Sequence, residues 1–146
     1  QVVDPDTWLG VVDAVTMVYM CNGVPATIWG DDGPDTLNGT PLRDVIVGLG
    51  GDDTIAGFSG NDWVCAGTGN DTVTGGLGRD RLYGEDGDDT LSGESGNDAV
   101  VGGRGDDLLW GQGGDDVLRG GPGIDRANGG AGDDTCIGET AISCLP

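Results

Sequence analysis

Apolar residues recur every nine positions along most of the chain. From Gly30 to Ile137 the sequence divides into twelve nonapeptides without an insertion, and the eighth residue of the unit is Leu, Ile or Val in ten of them. The two exceptions are Ala127 and Cys136. Self-similarity at a fixed period is typical of a repeat architecture. We therefore predict a short strand at positions 7–9 of each unit, with residue 8 facing inward and its two neighbours facing outward.

Glycine and aspartate keep the same register as the apolar residues. Position 1 is Gly except at Ala66, and position 4 is Gly except at Leu42. Glycines at positions 1 and 4 permit positive φ and a tight curve where any Cβ would obstruct, so the start of each unit is predicted to be a turn. Position 6 is aspartate in every unit: Asp35, Asp44, Asp53, Asp62, Asp71, Asp80, Asp89, Asp98, Asp107, Asp116, Asp125 and Asp134.

The repeated turn has the chemistry of a site for a hard cation. A carboxylate beside inward-pointing backbone carbonyls supplies hard oxygen ligands in a flexible cage, which suits Ca²⁺. A transition metal would favour His or Cys ligands. The acid that often precedes the repeated aspartate, as in Asp88 and Asp106, is predicted to be solvated rather than ligating, because other units hold Asn, Arg, Pro or Ile there.

These nonapeptides resemble a known family. "GGRGDDLLW" and "GGLGRDRLY" are similar to the GGxGxDxUx units of repeats-in-toxin (RTX, hemolysin-type) calcium-binding proteins, and the resemblance covers residues 30–137. It implies an all-β, right-handed parallel β-roll of about six coils, with two nonapeptides per coil. It also implies Ca²⁺ between stacked turns on both sides, held by position-6 carboxylates of units n and n+2 and by turn carbonyls near Gly48, Gly57, Gly75, Gly84, Gly93, Gly102, Gly111 and Gly120.

The pairing of units sets the expected number of ions. Twelve units offer at most ten pairings of n with n+2, and we expect about eight to ten Ca²⁺ ions. Asp44 is predicted to be a weak site, because Leu42 replaces the turn glycine and Arg43 stands beside the expected ion.

Charge narrows the choice of partners. The chain has 26 acidic and six basic residues, a formal net charge of −20, and no His. Such a chain would be disordered unless cations neutralised it. Repulsion disfavours nucleic acid and anionic membranes as partners, whereas a basic protein stays open. No apolar run is long enough to span a membrane, so no membrane insertion is expected.

The outward residues are predicted to differ between the two faces of the roll. Odd-numbered units present a threonine ladder that is interrupted at Leu108 and Arg126, whereas even-numbered units present mainly apolar residues such as Val45 and Trp63. An exposed apolar sheet would favour aggregation, so we expect it to be covered.

The two ends are predicted to be closed by caps. Residues 1–20 form an arm, of either helix or strand, that covers this sheet or a neighbouring molecule; residues 21–29 form a metal-free capping repeat with Ile28 inward; and residues 138–146 form a C-terminal cap. We predict Cys21–Cys65 and Cys136–Cys144 disulfides. The first requires a departure from ideal register, since two coils span about 9.5 Å and bonded Cα atoms lie within about 7 Å.

The sequence favours a non-catalytic, secreted protein. No His or Lys is present, and the carboxylates are explained as calcium ligands. The even number of cysteines and a start at Gln1 predict a mature extracellular chain. A structural, adhesion or filament-forming role is expected, with self-association through the arm, the apolar sheet or the ends. The alternatives are an ice-binding or other ligand-binding threonine face, and a C-terminal RTX fragment of a larger secreted protein.

Overall fold

The computed structural model describes residues 18–138 and Cys144. Among these residues the regular structure is all β, and no helix is long and apolar enough to cross a membrane. The strands are β1 Met20–Cys21, β2 Val24–Pro25, β3 Ile28–Trp29, β4 Thr36–Asn38, β5 Val45–Gly50, β6 Thr54–Ser59, β7 Trp63–Thr68, β8 Thr72–Leu77, β9 Arg81–Asp86, β10 Thr90–Ser95, β11 Ala99–Arg104, β12 Leu108–Gly113, β13 Val117–Arg119, β14 Arg126–Ala131 and β15 Thr135–Ile137.

Consecutive strands alternate between two parallel sheets. The six-stranded sheet has the order β14-β12-β10-β8-β6-β4, and the seven-stranded sheet has the order β15-β13-β11-β9-β7-β5-β3. Each strand pairs with the strand one coil further on at a register of 18 residues, as in Leu91 opposite Leu109. One coil therefore contains two nonapeptides, and the chain forms the expected parallel β-solenoid of about six turns.

The core is a column of position-8 side chains between the two sheets, with Ala66 of position 1 packed among them. Nine of the twelve are at most 1% exposed, and Leu37, Ala127 and Cys136 lie towards the ends of the column. Burying a side chain such as Leu or Val contributes about 1.5–3 kcal/mol. Because each unit supplies one such residue, the apolar core extends along the solenoid axis and is only one side chain deep.

Most strands are longer than the sequence pattern predicts. β8 runs from position 7 of one unit through position 3 of the next, and nine of the strands have this six-residue length. The expectation of strands confined to positions 7–9 is therefore wrong except in β4, β13 and β15. The additional pairing skips position 1, since Thr74 and Gly76 have partners in β10 but Gly75 does not.

A residue of positive φ lies inside each long strand. Position 2 has positive φ in ten units, and five of these residues are not glycine: Leu49, Phe58, Glu85, Glu94 and Gln112, with φ between 73° and 83°. Position 4 has positive φ at ten glycines, as predicted, but the position-1 glycines do not. Positive φ is therefore not the reason for glycine at position 1.

The N-terminal end of the seven-stranded sheet is covered by a hairpin. β1 and β2 pair antiparallel, with Cys21 opposite Val24. Cys21 is buried with Val45, Val47 and Cys65, and forms the predicted disulfide with Cys65, with Cα atoms 5.5 Å apart. Because the hairpin leaves the coil register, it brings Cys21 close enough to bond Cys65, which an ideal capping repeat two coils away would not do.

The other parts of the two ends are strand β3 and the second disulfide. β3 joins the seven-stranded sheet with Ile28 opposite Ile46, and Ile28 packs against the core. Cys136 and Cys144 form the second predicted disulfide. Residues 1–17 of the predicted arm and most of the C-terminal cap lie outside the described residues. Towards the C-terminus the seven-stranded sheet leaves Val117 and Ile137 each 44% exposed.

Candidate metal centre

The repeated aspartates form two ladders of buried carboxylates, one along each edge of the solenoid. The backbone N–H of Asp71 donates a 2.8 Å hydrogen bond to Oδ1 of Asp89, one coil further on. The same bond joins all ten pairs of position-6 aspartates that are 18 residues apart, from Asp35 with Asp53 to Asp116 with Asp134. One oxygen of each carboxylate thereby fixes the spacing between coils.

The second oxygen of most of these carboxylates has no partner. Burial of a polar atom without a hydrogen bond is costly, and it is costlier still for a charged group. Within the described part of the chain, nine buried Oδ2 atoms lack any hydrogen-bond partner: those of Asp53, Asp62, Asp71, Asp80, Asp89, Asp98, Asp107, Asp116 and Asp125. A series of unpaired carboxylate oxygens at one repeat position indicates a missing positively charged ligand.

The position-1 glycines line the space into which these oxygens point. A Cβ on Gly57 would lie 2.6 Å from Oδ2 of Asp62 and 2.5 Å from the carbonyl oxygen of Gly75, one coil further on. A side chain at this position would therefore fill a cradle formed by a carboxylate and a backbone carbonyl. Close approach, rather than positive φ, explains the glycine at position 1.

The carbonyls that face these cradles agree in part with the sequence analysis. Those of Gly48, Gly57, Gly75, Gly93 and Gly102 each lie at the cradle one coil earlier, whereas those of Gly111 and Gly120 are not among the nearest atoms there. The carbonyls of Ala66 and Gly129 occupy the same place. The glycine pattern does not predict the carbonyl of Ala66, because a backbone carbonyl can face the cradle whatever side chain its residue carries. Gly84 lies one coil beyond Ala66, where the unit has no position-1 glycine, so the role of its carbonyl stays a prediction.

The environment of the buried aspartates opposes their negative charge. Burial, with repulsion from other carboxylates, raises the pKa of Asp89 to about 7 and that of Asp62, Asp80, Asp98 and Asp107 to about 6. The pKa values of Asp53, Asp71 and Asp116 are raised for the same reasons. Without a cation, these carboxyl groups therefore hold their protons more tightly than an aspartate in water does.

The first two carboxylates of the series are already satisfied. Oδ2 of Asp44 accepts hydrogen bonds from the backbone N–H and the hydroxyl of Thr40, at 2.6 and 2.9 Å. Oδ2 of Asp35 accepts a 2.7 Å hydrogen bond from the backbone N–H of Asp31. These two positions therefore have less need of a cation than the nine that follow.

Position 5 forms a second ladder on the surface. The N–H of Asp106 donates a 2.8 Å hydrogen bond to Oδ1 of Asp88, and the same contact links Asn70 to Asp52 and Asp133 to Asp115. The acids are exposed, but the prediction that they are merely solvated is incomplete. The sequence signal was the predominance of Asp and Asn, both of which carry a short-chain oxygen acceptor.

The carboxylate oxygens and backbone carbonyl oxygens at each site are the kind of ligands that calcium binds. No group of three or more His, Cys, Asp or Glu side chains that could hold a metal occurs among residues 18–138 and Cys144. Paired carboxylates completed by carbonyl oxygens match the hard, oxygen-rich coordination of Ca²⁺.

Comparison with known proteins agrees with this geometry. The family model described as RTX calcium-binding nonapeptide repeat (4 copies) matches residues 27–41, 38–73, 66–100, 74–109, 92–127 and 110–140. Curated proteins yield no match. The matched segments cover most of the chain, and RTX nonapeptide repeats bind Ca²⁺. The chain therefore belongs to the RTX family of calcium-binding nonapeptide-repeat proteins.

Proposed function

We propose that this protein is a secreted structural or adhesion module whose folding is coupled to calcium binding. The position-6 aspartates and position-1 carbonyls would hold Ca²⁺ between successive coils along both edges of the solenoid. Bound calcium supplies the positive charge that the buried carboxylates lack. A rigid rod that forms only at extracellular calcium concentrations is suited to spacing, adhesion or assembly outside the cell.

The observation that carries the proposal is the set of nine unpaired Oδ2 atoms. Each of these atoms belongs to a carboxylate whose other oxygen already accepts a backbone hydrogen bond, so rotation of the side chain would break one contact to make another. The chain offers no His or Lys, and its few arginines are not placed to neutralise nine sites. An external cation at each site removes the conflict.

The occupancy that follows is eight to ten ions. Ten pairs of aspartates are joined by the ladder bonds, and nine Oδ2 atoms are free to bind. Asp44 is the weakest member, because Thr40 already donates to its Oδ2. Ten divalent ions would balance the formal charge of −20.

Removal of calcium tests the coupling of folding to binding. In a calcium-free buffer at pH 7.5 the mutual repulsion of the aspartates should unfold most of the solenoid, while the two disulfides keep the chain partly compact. Far-ultraviolet circular dichroism should lose its β signal and regain it when Ca²⁺ is added. Mg²⁺ is the matched control, since its small octahedral shell suits these sites poorly. An unchanged β signal without calcium would refute the coupling.

The exposed apolar residues support a role in assembly. Val117 and Ile137 lie outward on the seven-stranded sheet, beyond the region that the β1–β2 hairpin covers. Particle size measured by X-ray scattering, with and without calcium, tests this part of the proposal. Dimers or filaments that require calcium would support it, and a monomer at all protein concentrations would refute it.

A second candidate function is binding to ice through the six-stranded sheet. Thr36, Thr54, Thr72 and Thr90 are paired in register on successive strands, which places one threonine per coil on this face. The ladder ends at Leu108. Thermal hysteresis at micromolar protein concentration tests the candidate: a freezing-point gap that Thr54→Leu and Thr72→Leu abolish would favour it, and no gap would exclude it.

A further inference from the structure

Half of the basic residues of this acidic protein lie in one pocket. The pocket has a volume of about 310 Å³ and is lined by Arg43, Asn61, Trp63, Arg79 and Arg81. We call it the arginine pocket. The chain contains only six arginines and no lysine, so three of its six cations are concentrated in a region two coils long. The calcium sites do not account for this arrangement, because cations near a metal site weaken it.

The fold explains how these side chains meet. Arg43, Asn61 and Arg79 hold position 5 in three successive coils and therefore lie on one edge of the solenoid. Trp63 and Arg81 begin the neighbouring strands β7 and β9, where they are directly paired. The guanidinium carbons of Arg81 and Arg43 lie 4.6 and 5.8 Å from the centre of the Trp63 ring. The aromatic ring thus holds two guanidinium groups in place by cation–π contact.

The guanidinium groups have no carboxylate partner within the described residues. The ion pair within 4 Å that residues 18–138 contain joins Arg104 to Asp86, away from the pocket. The buried aspartates of the same turns, such as Asp62 and Asp80, bond to backbone N–H groups instead. Three cations with open donor positions therefore face solvent.

Two further donors face the same region. Asn61 accepts a 2.8 Å hydrogen bond from the N–H of Arg79 through Oδ1, which leaves its NH₂ group available to donate. At other coils the backbone N–H of position 5 donates to the Asp or Asn one coil earlier. Arg43 offers no acceptor, so the N–H of Asn61 lacks this contact. Apart from Oδ1 of Asn61, which accepts the bond from Arg79, the polar groups named here are donors.

We propose that the arginine pocket binds a small ligand that carries one carboxylate or sulfate group on a neutral carrier about the size of a sugar ring. Guanidinium groups bind such oxyanions with paired, charge-assisted hydrogen bonds. A pocket of this volume leaves room for the carrier beside the anionic group. The guanidinium groups of Arg43 and Arg81 lie against one Trp63 ring, which matches a ligand with a single anionic group.

Titration of the full chain at saturating Ca²⁺ tests the proposal. The probes are glucuronate, glucose 6-sulfate and, as the uncharged control, glucose. The indole N–H resonance of Trp63, assigned by its loss in Trp63→Phe, reports on the pocket in ¹H–¹⁵N spectra. We expect a saturable shift with an anionic probe, with a Kd of about 1 mM or tighter, and none with glucose. No saturable shift with either anion, or an equal shift with glucose, would overturn the proposal.

Matched variants assign the binding to these side chains. Arg79→Gln and Arg81→Gln should each weaken binding by about 10-fold or more, whereas Arg119→Gln, on the same sheet but outside the pocket, should leave it unchanged. Equal losses in all three variants would overturn the assignment. The N-terminal segment carries Asp4, Asp6 and Asp13, and binding that occurs only after all three are changed to Asn would show that the pocket holds the chain's own carboxylates. That result would overturn the proposal of an external ligand.

Discussion

The backbone N–H of Asp71 donates a 2.8 Å hydrogen bond to Oδ1 of Asp89, while Oδ2 of Asp89 is buried without a partner. The two residues occupy the same position of the repeat in adjacent coils. One oxygen therefore serves the backbone of the solenoid and the other is left for a cation. Repetition of this arrangement makes the fold and the proposed metal sites inseparable.

Replacement of one buried aspartate should remove calcium without removing the hydrogen bond. Asp89→Asn keeps an acceptor oxygen for the N–H of Asp71 but loses the negative charge that a cation requires. We expect the loss of one or two bound ions and a lower melting temperature in calcium, measured by metal analysis and calorimetry.

Asp88→Asn is the matched control for this change. Asp88 is the adjacent residue, is exposed, and uses its Oδ1 to accept a hydrogen bond from Asp106. Asn retains that acceptor, so stability should change by less than about 0.5 kcal/mol and the ion count should not change. Equal ion losses in the two variants would contradict the separate roles given to positions 5 and 6.

The metal-free chain should be stabilised by acid. The pKa of Asp89 is raised to about 7 and the pKa values of Asp62 and Asp80 to about 6, chiefly by burial. A carboxyl whose folded-state pKa is raised binds its proton more tightly in the folded state, so its contribution is complete below about pH 4 and is lost as the pH rises through 6–7. In calcium-free buffer, the β signal in circular dichroism should therefore increase as the pH falls from 8 to about 4.

Saturating calcium should reverse this dependence. The metal requires ionised carboxylates, so acidification below about pH 6 should release calcium from the protein. A calcium electrode records the release during an acid titration. A metal-free chain that loses β structure on acidification would show that the raised pKa values do not govern its stability.

Two residues of positive φ, Gly78 at position 4 and Glu94 at position 2, should respond differently to substitution. Gly78 has a φ of 133°, and a Cβ there would collide with the carbonyl oxygen of Gly60, so Gly78→Ala should be strongly destabilising. Glu94 has a φ of 74° and is exposed, so Glu94→Gly relieves strain and should be neutral or stabilising by up to about 1 kcal/mol. Thermal unfolding in calcium measures both, and similar losses in the two variants would contradict the assigned backbone conformations.

The Cys21–Cys65 disulfide should stabilise the N-terminal end of the solenoid. The bond closes a separation of 44 residues, for which chain entropy gives about 4 kcal/mol. In a Cys21→Ser/Cys65→Ser variant we expect faster proteolysis near the β1–β2 hairpin and exposure of Val45 and Val47. The Cys136–Cys144 disulfide closes a separation of only eight residues, so its removal in a Cys136→Ser/Cys144→Ser variant should cost less, about 2–3 kcal/mol. A larger loss from the shorter loop would contradict this account.

The repeat register, the inward apolar residue and the aspartate ladders could be predicted from the sequence because one residue type dominates each of those positions. Position 2 could not, since Leu49, Phe58, Glu85 and several glycines share one backbone conformation that their side chains do not reveal. The six-residue length of the strands could not be predicted either, because the strands continue through position 2. The β1–β2 hairpin lies outside the nine-residue register, and its position depends on the long-range bond between Cys21 and Cys65.

A crystal structure of the protein grown in calcium, with anomalous data that locate the ions, tests the central claim most directly. The account predicts an anomalous peak between adjacent coils at the Oδ2 atom of each of the nine unpaired aspartates, from Asp53 to Asp125, with weak or no density at Asp44. The same solenoid with only water at these oxygen atoms would contradict it.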